Sequence, residues 1–141
     1  MGSSDSTEPT HQDLQAIINS PSFDGLVNRE QVFLLGFSQG ALHAMLLTAE
    51  HPGKYAGVVA LSPGGSLADR LGSPPLKRTE RPARCMFIHG EREPHAPLVR
   101  IWSSACRDAG WQFDSKTHPG GHQFPENWDE LQPEIAKFLT K

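Results

Sequence analysis

Hydrophobic and polar positions divide the chain into segments of two periods. Three runs are apolar almost throughout: 31–36 (QVFLLG), 56–62 (AGVVALS) and 84–90 (RCMFIHG). Runs of this length and uniformity suit strands of a parallel sheet, which are covered on both faces. A fourth, 111–118 (WQFDSKTH), alternates and suits a strand nearer the sheet edge. Between them the apolar period lengthens to that of a helix. Leu42, Met45, Leu46 and Ala49 recur on one face of 39–51, which Pro52-Gly53 stops. Leu98, Ile101, Trp102 and Ala105 mark the inward face of 96–110, with Gly110 as its stop. Leu131, Ile135, Phe138 and Leu139 do the same for 125–141, where Pro133 is expected near the first turn. Ahead of the first strand a short helix is expected from Thr10 to Pro21, with Leu14, Ile17 and Ile18 on one side, followed by a turn at Asp24-Gly25.

The order is β-α-β-loop-β-α-β-α. Such alternation predicts an α/β fold, a parallel sheet of about four strands with helices on its faces and right-handed crossovers. The strands should lie side by side in chain order. Residues 1–9 are small, polar and aperiodic and read as a disordered tail, leaving 10–141 as one domain. The segment 63–83 (PGGSLADRLGSPPLKRTERPA) is a loop long enough to have a task, such as covering a site.

Composition narrows the functional classes. The 141 residues are 37% hydrophobic with a net charge of -3 and no basic run, which argues against a nucleic-acid or anionic-membrane partner. No apolar run approaches the ~20 residues of a membrane span, and no signal peptide opens the chain. Cys85 and Cys106 have no metal-ligand spacing and read as buried free thiols of a reducing, cytoplasmic setting. No metal site and no cofactor is implied.

Ligands of open parallel sheets bind beyond the carboxyl ends of the strands. Gly36-Phe37-Ser38-Gln39-Gly40 follows the first strand, His89-Gly90-Glu91-Arg92-Glu93 the third, and His118-Pro119-Gly120-Gly121-His122 the fourth. A serine, a carboxylate and a histidine thus fall at one edge, in that order. A serine hydroxyl is a poor nucleophile until a histidine takes its proton. It must also project from a tight turn, and Gly36 and Gly40 would keep that turn uncrowded. Taken alone, the Gly-x-Ser-x-Gly turn also fits an ordinary strand-to-helix connection. Glu91 is the alternative acid, His89 reads as a structural turn residue, and His43 and His51 as helix-surface histidines.

GFSQG resembles the nucleophile elbow of α/β-hydrolases, and in particular the phospholipase/carboxylesterase, acyl-protein thioesterase-like branch. FIHGEREPHAP resembles that branch's acid loop, with Glu93 where an aspartate usually stands, and GGHQF resembles its histidine turn. The resemblance covers roughly residues 12–141. It implies a serine hydrolase that cleaves small-molecule carboxylic or thio esters through an acyl-enzyme. Ser38 would be the nucleophile, His122 the base, Glu93 the acid, and the Gln39 N–H an oxyanion donor. Members of this family carry several strands ahead of the elbow strand, and a loop there supplies a second oxyanion donor. The chain reads as the C-terminal half to two-thirds of that fold. Two expectations follow: an open apolar edge on the 31–36 strand that favours self-association, and, as the alternative function, an impaired fragment or interaction module that retains the triad residues.

Overall fold

The computed structural model of the protein describes residues 4–64, 76–93 and 96–140. Four strands, β1 (Phe33–Phe37), β2 (Gly57–Leu61), β3 (Arg84–Gly90) and β4 (Phe113–His118), form one sheet in the order β1-β2-β3-β4, and every pairing is parallel. This is the α/β architecture that the alternation predicts. Among the described residues four α-helices accompany the sheet: α1 (Ser4–Ile18), α2 (Gln39–Glu50), α3 (Ala96–Ala109) and α4 (Trp128–Leu139).

The period of two along the strands sorts their side chains into two cores. Val58, Ala60, Cys85 and Phe87 meet α2 and α3 on one face. Val59, Leu61, Met86 and Ile88 meet Leu131, Ile135 and Phe138 of α4 on the other. Cys85 and Cys106 are both buried free thiols in the first core. A hydrogen bond between them and their burial push the Cys85 thiol well above its ordinary pKa. Arg84 fastens the end of α4 to the sheet, since its Nη1 donates to the carbonyls of Phe138 (3.0 Å) and Leu139 (3.3 Å), which a helix end leaves without intrahelical partners.

Several local expectations change. The first helix begins at Ser4 instead of Thr10, so it takes in residues 4–9 of the segment expected to be disordered. It packs across α2. Thr7 is buried and hydrogen-bonds Glu50, and His11 stacks on His51 with ring centroids 3.7 Å apart. His43 and His51 are therefore half-buried under α1 and do not lie on an open helix surface, and His43 Nε2 lies 3.2 Å from Thr10 Oγ1. Burial and the facing His51 ring push the His11 pKa down. Covered by the sheet below and α1 above, α2 is buried from Ala44 to Ala49 without a break. Ile17, expected on the inner face of α1, is exposed.

The inward face of α3 is Leu98, Val99, Trp102, Cys106 and Ala109, while Ile101 is 43% exposed and Ala105 half-buried. Ile101 shares a helical period with Leu98 and Ala105, but packing on a flat sheet selects the neighbouring stripe. Pro133 sits in the second turn of α4, where its missing N–H leaves the carbonyl four residues back without that partner. Residues 65–75, the middle of the loop expected to cover the site, lie outside the described residues. Among the described residues no helix is long and apolar enough to cross a membrane.

The two stripes of α2 and α3 give a direct test. Leu42→Ala removes a fully buried side chain and should lower the unfolding free energy by about 2–5 kcal/mol in urea titration. Ile101→Ala should stay within about 0.5 kcal/mol of wild type. A core-sized loss at Ile101 would show that α3 is rotated relative to this packing.

Candidate active site

The site is built on the carboxyl ends of the strands. Ser38 follows β1 directly and caps α2 with φ 58° and ψ -120°, a conformation that side-chain-bearing residues rarely adopt. Three backbone bonds hold it there: its N–H donates to Leu61 O at 2.8 Å, and its own carbonyl accepts from Leu42 N–H at 3.2 Å and Gly64 N–H at 3.3 Å. The turn is tight enough that a Cβ at Gly36 would lie 2.4 Å from the Gly40 carbonyl oxygen and 2.7 Å from Ala41 N. Gly36 is therefore required by contact. Gly40 is not, because a Cβ there would meet nothing within 4 Å, contrary to the expectation that both glycines relieve crowding. Gln39 opens α2, and the first amides of a helix have no intrahelical acceptor.

Glu93 lies three residues beyond β3 in a turn closed by its own N–H on the Gly90 carbonyl (3.0 Å). The acid turn and the histidine turn are stitched together by Glu91 N–H on His118 O (2.8 Å) and Arg92 N–H on Gly120 O (3.2 Å). They approach so closely that a Cβ at Gly90 would lie 2.3 Å from Gly120 O and 2.4 Å from Gly121 O. That contact carries His122 over the strand ends. Its Nε2 is 2.8 Å from Ser38 Oγ and its Nδ1 is 2.6 Å from Glu93 Oε1. The histidine side chain is 38% exposed and reachable from solvent, whereas the Glu93 side chain is 1% exposed.

A buried carboxylate needs partners. Glu93 Oε2 accepts from Gly90 N–H at 2.6 Å and from the Ser62 hydroxyl at 2.8 Å. Burial pushes the Glu93 pKa up, but the bonds from Gly90, His122 and Ser62 together outweigh it and hold the group below its ordinary value. An acid depressed in this way adds stability above its unfolded value near 4.5, and that contribution is lost as pH falls through the folded value.

The structure therefore brings Ser38, His122 and Glu93 into one hydrogen-bonded line, with Gln39 beside Ser38. Glu91 is exposed, and its backbone serves the turn. His89 is a half-buried residue of β3. Among the described residues no cluster of His, Cys, Asp or Glu has the arrangement of a metal site.

Comparison with known proteins gives the family and the fold. The model of the phospholipase/carboxylesterase family matches residues 2–139. The chain belongs to the phospholipase/carboxylesterase family. Over 85 residues it is 33% identical to NocK of Nocardia uniformis subsp. tsuyamanensis, a protein named for a proposed esterase activity, covering 60% of this chain and 23% of NocK. Its fold superimposes on a carboxylesterase from Mesorhizobium loti with a TM-score of 0.69 at 20% identity, over 94% of this chain and 62% of that one. It also superimposes on SOBER1 of Arabidopsis thaliana with a TM-score of 0.68 at 20% identity, over 97% of this chain and 66% of that one. The chain thus spans less than two thirds of those structures and under a quarter of NocK.

Within this phospholipase/carboxylesterase chain, sequence reading passed over Ser62. It stands one residue past β2, at the same sheet edge as Ser38 and the acid loop. A polar residue directly after an otherwise apolar strand was the available signal, but it was read as the last residue of that strand.

Glycine substitutions separate contact from composition. Gly36→Ala and Gly90→Ala should each cost about 1–3 kcal/mol or more in thermal unfolding, because backbone must move to admit the methyl group. Gly40→Ala should be neutral or stabilising by up to about 1 kcal/mol. Equal losses at all three positions would refute the contact argument.

Proposed function

We propose that the protein is a carboxylesterase-type serine hydrolase that cleaves small-molecule carboxylic or thio esters through an acyl-enzyme. The observation that carries this reading is the unbroken line from Ser38 Oγ to His122 Nε2 (2.8 Å) and from His122 Nδ1 to Glu93 Oε1 (2.6 Å). Membership of the phospholipase/carboxylesterase family supports it.

In this mechanism Ser38 Oγ attacks the ester carbonyl carbon while His122 Nε2 takes the hydroxyl proton. The carbonyl oxygen becomes an oxyanion beside the Gln39 N–H at the start of α2, where the helix dipole favours negative charge. His122 then gives its proton to the departing alcohol or thiol, leaving Ser38 acylated. Water enters past the exposed His122 ring, loses a proton to Nε2 and attacks the acyl carbon. Collapse breaks the Oγ–acyl bond and releases the acid as Nε2 returns that proton to Ser38 Oγ. Glu93 stays ionised throughout, accepting from Nδ1–H, which fixes the tautomer in which the Nε2 lone pair faces the Ser38 hydroxyl. One oxyanion donor is assigned here, and each further donor that a site has contributes ~10²–10³ in turnover. No metal or cofactor has a part in these steps.

A fluorophosphonate probe should label Ser38, as mapped by mass spectrometry. Ser38→Ala should abolish the label, and His122→Ala should lower turnover of p-nitrophenyl acetate by at least ~10³-fold. A folded wild-type sample that stays unlabelled would defeat the proposal.

A second reading concerns association. At the two ends of β1, Ala56 N–H bonds Val32 O and Ser38 N–H bonds Leu61 O. The alternation of a parallel ladder then turns the backbone groups of Phe33, Leu35 and Phe37 away from β2, to the open edge. Leu35 is 55% exposed and Phe37 37%. We propose that this edge pairs with β1 of a second copy. Sedimentation should show concentration-dependent dimers that Leu35→Lys disperses, and a wild-type monomer at all concentrations would exclude the pairing.

A further inference from the structure

We infer that Ser62 is a positioning residue, fixing one oxygen of Glu93 so that the other is held for His122. The inference rests on the serine-hydrolase reading above and extends it to a residue outside the Ser-His-Glu line.

The geometry divides the carboxylate cleanly. Oε2 takes Gly90 N–H at 2.6 Å and the Ser62 hydroxyl at 2.8 Å, and Oε1 faces His122 Nδ1 at 2.6 Å. An ionised carboxylate only accepts, so the Ser62 O–H is the donor in this contact. Two donors on Oε2, arriving from the ends of β2 and β3, restrain the carboxylate from turning about its last bond independently of the His122 contact on Oε1. Glutamate needs this more than aspartate would, because its longer side chain has one more rotatable bond to immobilise. Without Ser62, Oε2 would keep a single donor, Gly90 N–H.

The backbone of Ser62 supports this assignment independently. Ser62 is 2% exposed and adopts φ 49°, the left-handed region that glycine occupies without strain. Its N–H still donates to Ile88 O at 2.7 Å, so the ladder runs one residue past β2 before the chain turns. A position needed only for that turn would be served better by glycine. The hydroxyl is what a serine adds there, and its partner is the Glu93 carboxylate.

Two substitutions separate the hydroxyl from the turn. Ser62→Ala and Ser62→Gly both remove the donor, but the first keeps the strained backbone and the second relaxes it. Three quantities would be measured for each: the titration midpoint of Glu93 by carboxyl carbon NMR, kcat and KM on p-nitrophenyl acetate, and thermal unfolding. Glu93 is held below its ordinary value partly by this bond, so its midpoint should rise in both variants. In both, kcat should fall about tenfold with KM within about twofold, as when one hydrogen bond to a charged group is lost. Ser62→Gly should melt above Ser62→Ala while losing the same activity. An unmoved Glu93 midpoint in both variants, or wild-type kcat in Ser62→Gly, would overturn the assignment. If wild-type protein neither turns over the ester nor labels at Ser38, the hydrolase reading fails instead, and the Glu93 midpoint still judges the hold that Ser62 exerts.

Discussion

The candidate site depends on one row of the parallel ladder, in which Phe37, Leu61, Ile88 and Lys116 stand abreast on β1, β2, β3 and β4. Parallel pairing in register ends β1 and β2 at this row, while β3 and β4 run paired two residues past it, to Gly90 and His118. Between β1, β2 and β3 the hydrogen bonding runs one residue beyond the row, through Ser38 N–H on Leu61 O and Ser62 N–H on Ile88 O. Both serines leave their strands at positive φ, so each strand ends in an abrupt change of direction at the same level. A slip of one residue between β1 and β2 would turn Leu34 from the α2 core to the opposite face and carry Ser38 out of reach of His122. The two apolar cores that hold the register are thus also what sets the 2.8 Å between Ser38 and His122.

A second constraint follows from placing an acid where water is excluded. Burial alone would push Glu93 toward its neutral form, which could not orient a histidine. Three donors reverse the balance, and each comes from a different element: Gly90 from the end of β3, Ser62 from the end of β2, and His122 from the turn after β4. The carboxylate therefore ties together three strand ends as much as it serves one side chain. The close approach of Gly90 to Gly120 and Gly121 belongs to the same arrangement, since without it the histidine turn would stand off from the acid.

What could be read from residues alone was whatever local pattern determines. The alternation of apolar runs and helical stripes carried the strand order and the layers, and the strand ends carried Ser38, Glu93 and His122 to one edge. What escaped was set by packing between distant segments. Ile101 lies on a plausible apolar stripe, and only the sheet decides that Val99 and Cys106 are the ones buried. His43 and His51 look like surface histidines until α1 covers them, and α1 itself begins in a stretch whose composition carries no helical period. Ser62 has no motif around it, and its importance comes wholly from a carboxylate 31 positions away. Gly36 and Gly40 are equivalent as letters, yet only the first faces backbone.

The same packing logic explains why β1 is unevenly covered. Its even-numbered residues face α2: Leu34 packs into that core, and Gly36 lies against the start of the helix. Its odd-numbered residues face the α4 side, but α4 lies over β2 and β3, so Leu35 and Phe37 remain exposed beyond its reach. Phe37 nonetheless rests near the His122 ring, with centroids 5.4 Å apart. The apolar edge and the candidate site are therefore contiguous. Phe37 stands between that edge and the ring whose Nε2 faces Ser38. The strand that carries the serine thus also carries the exposed apolar side chains nearest to His122.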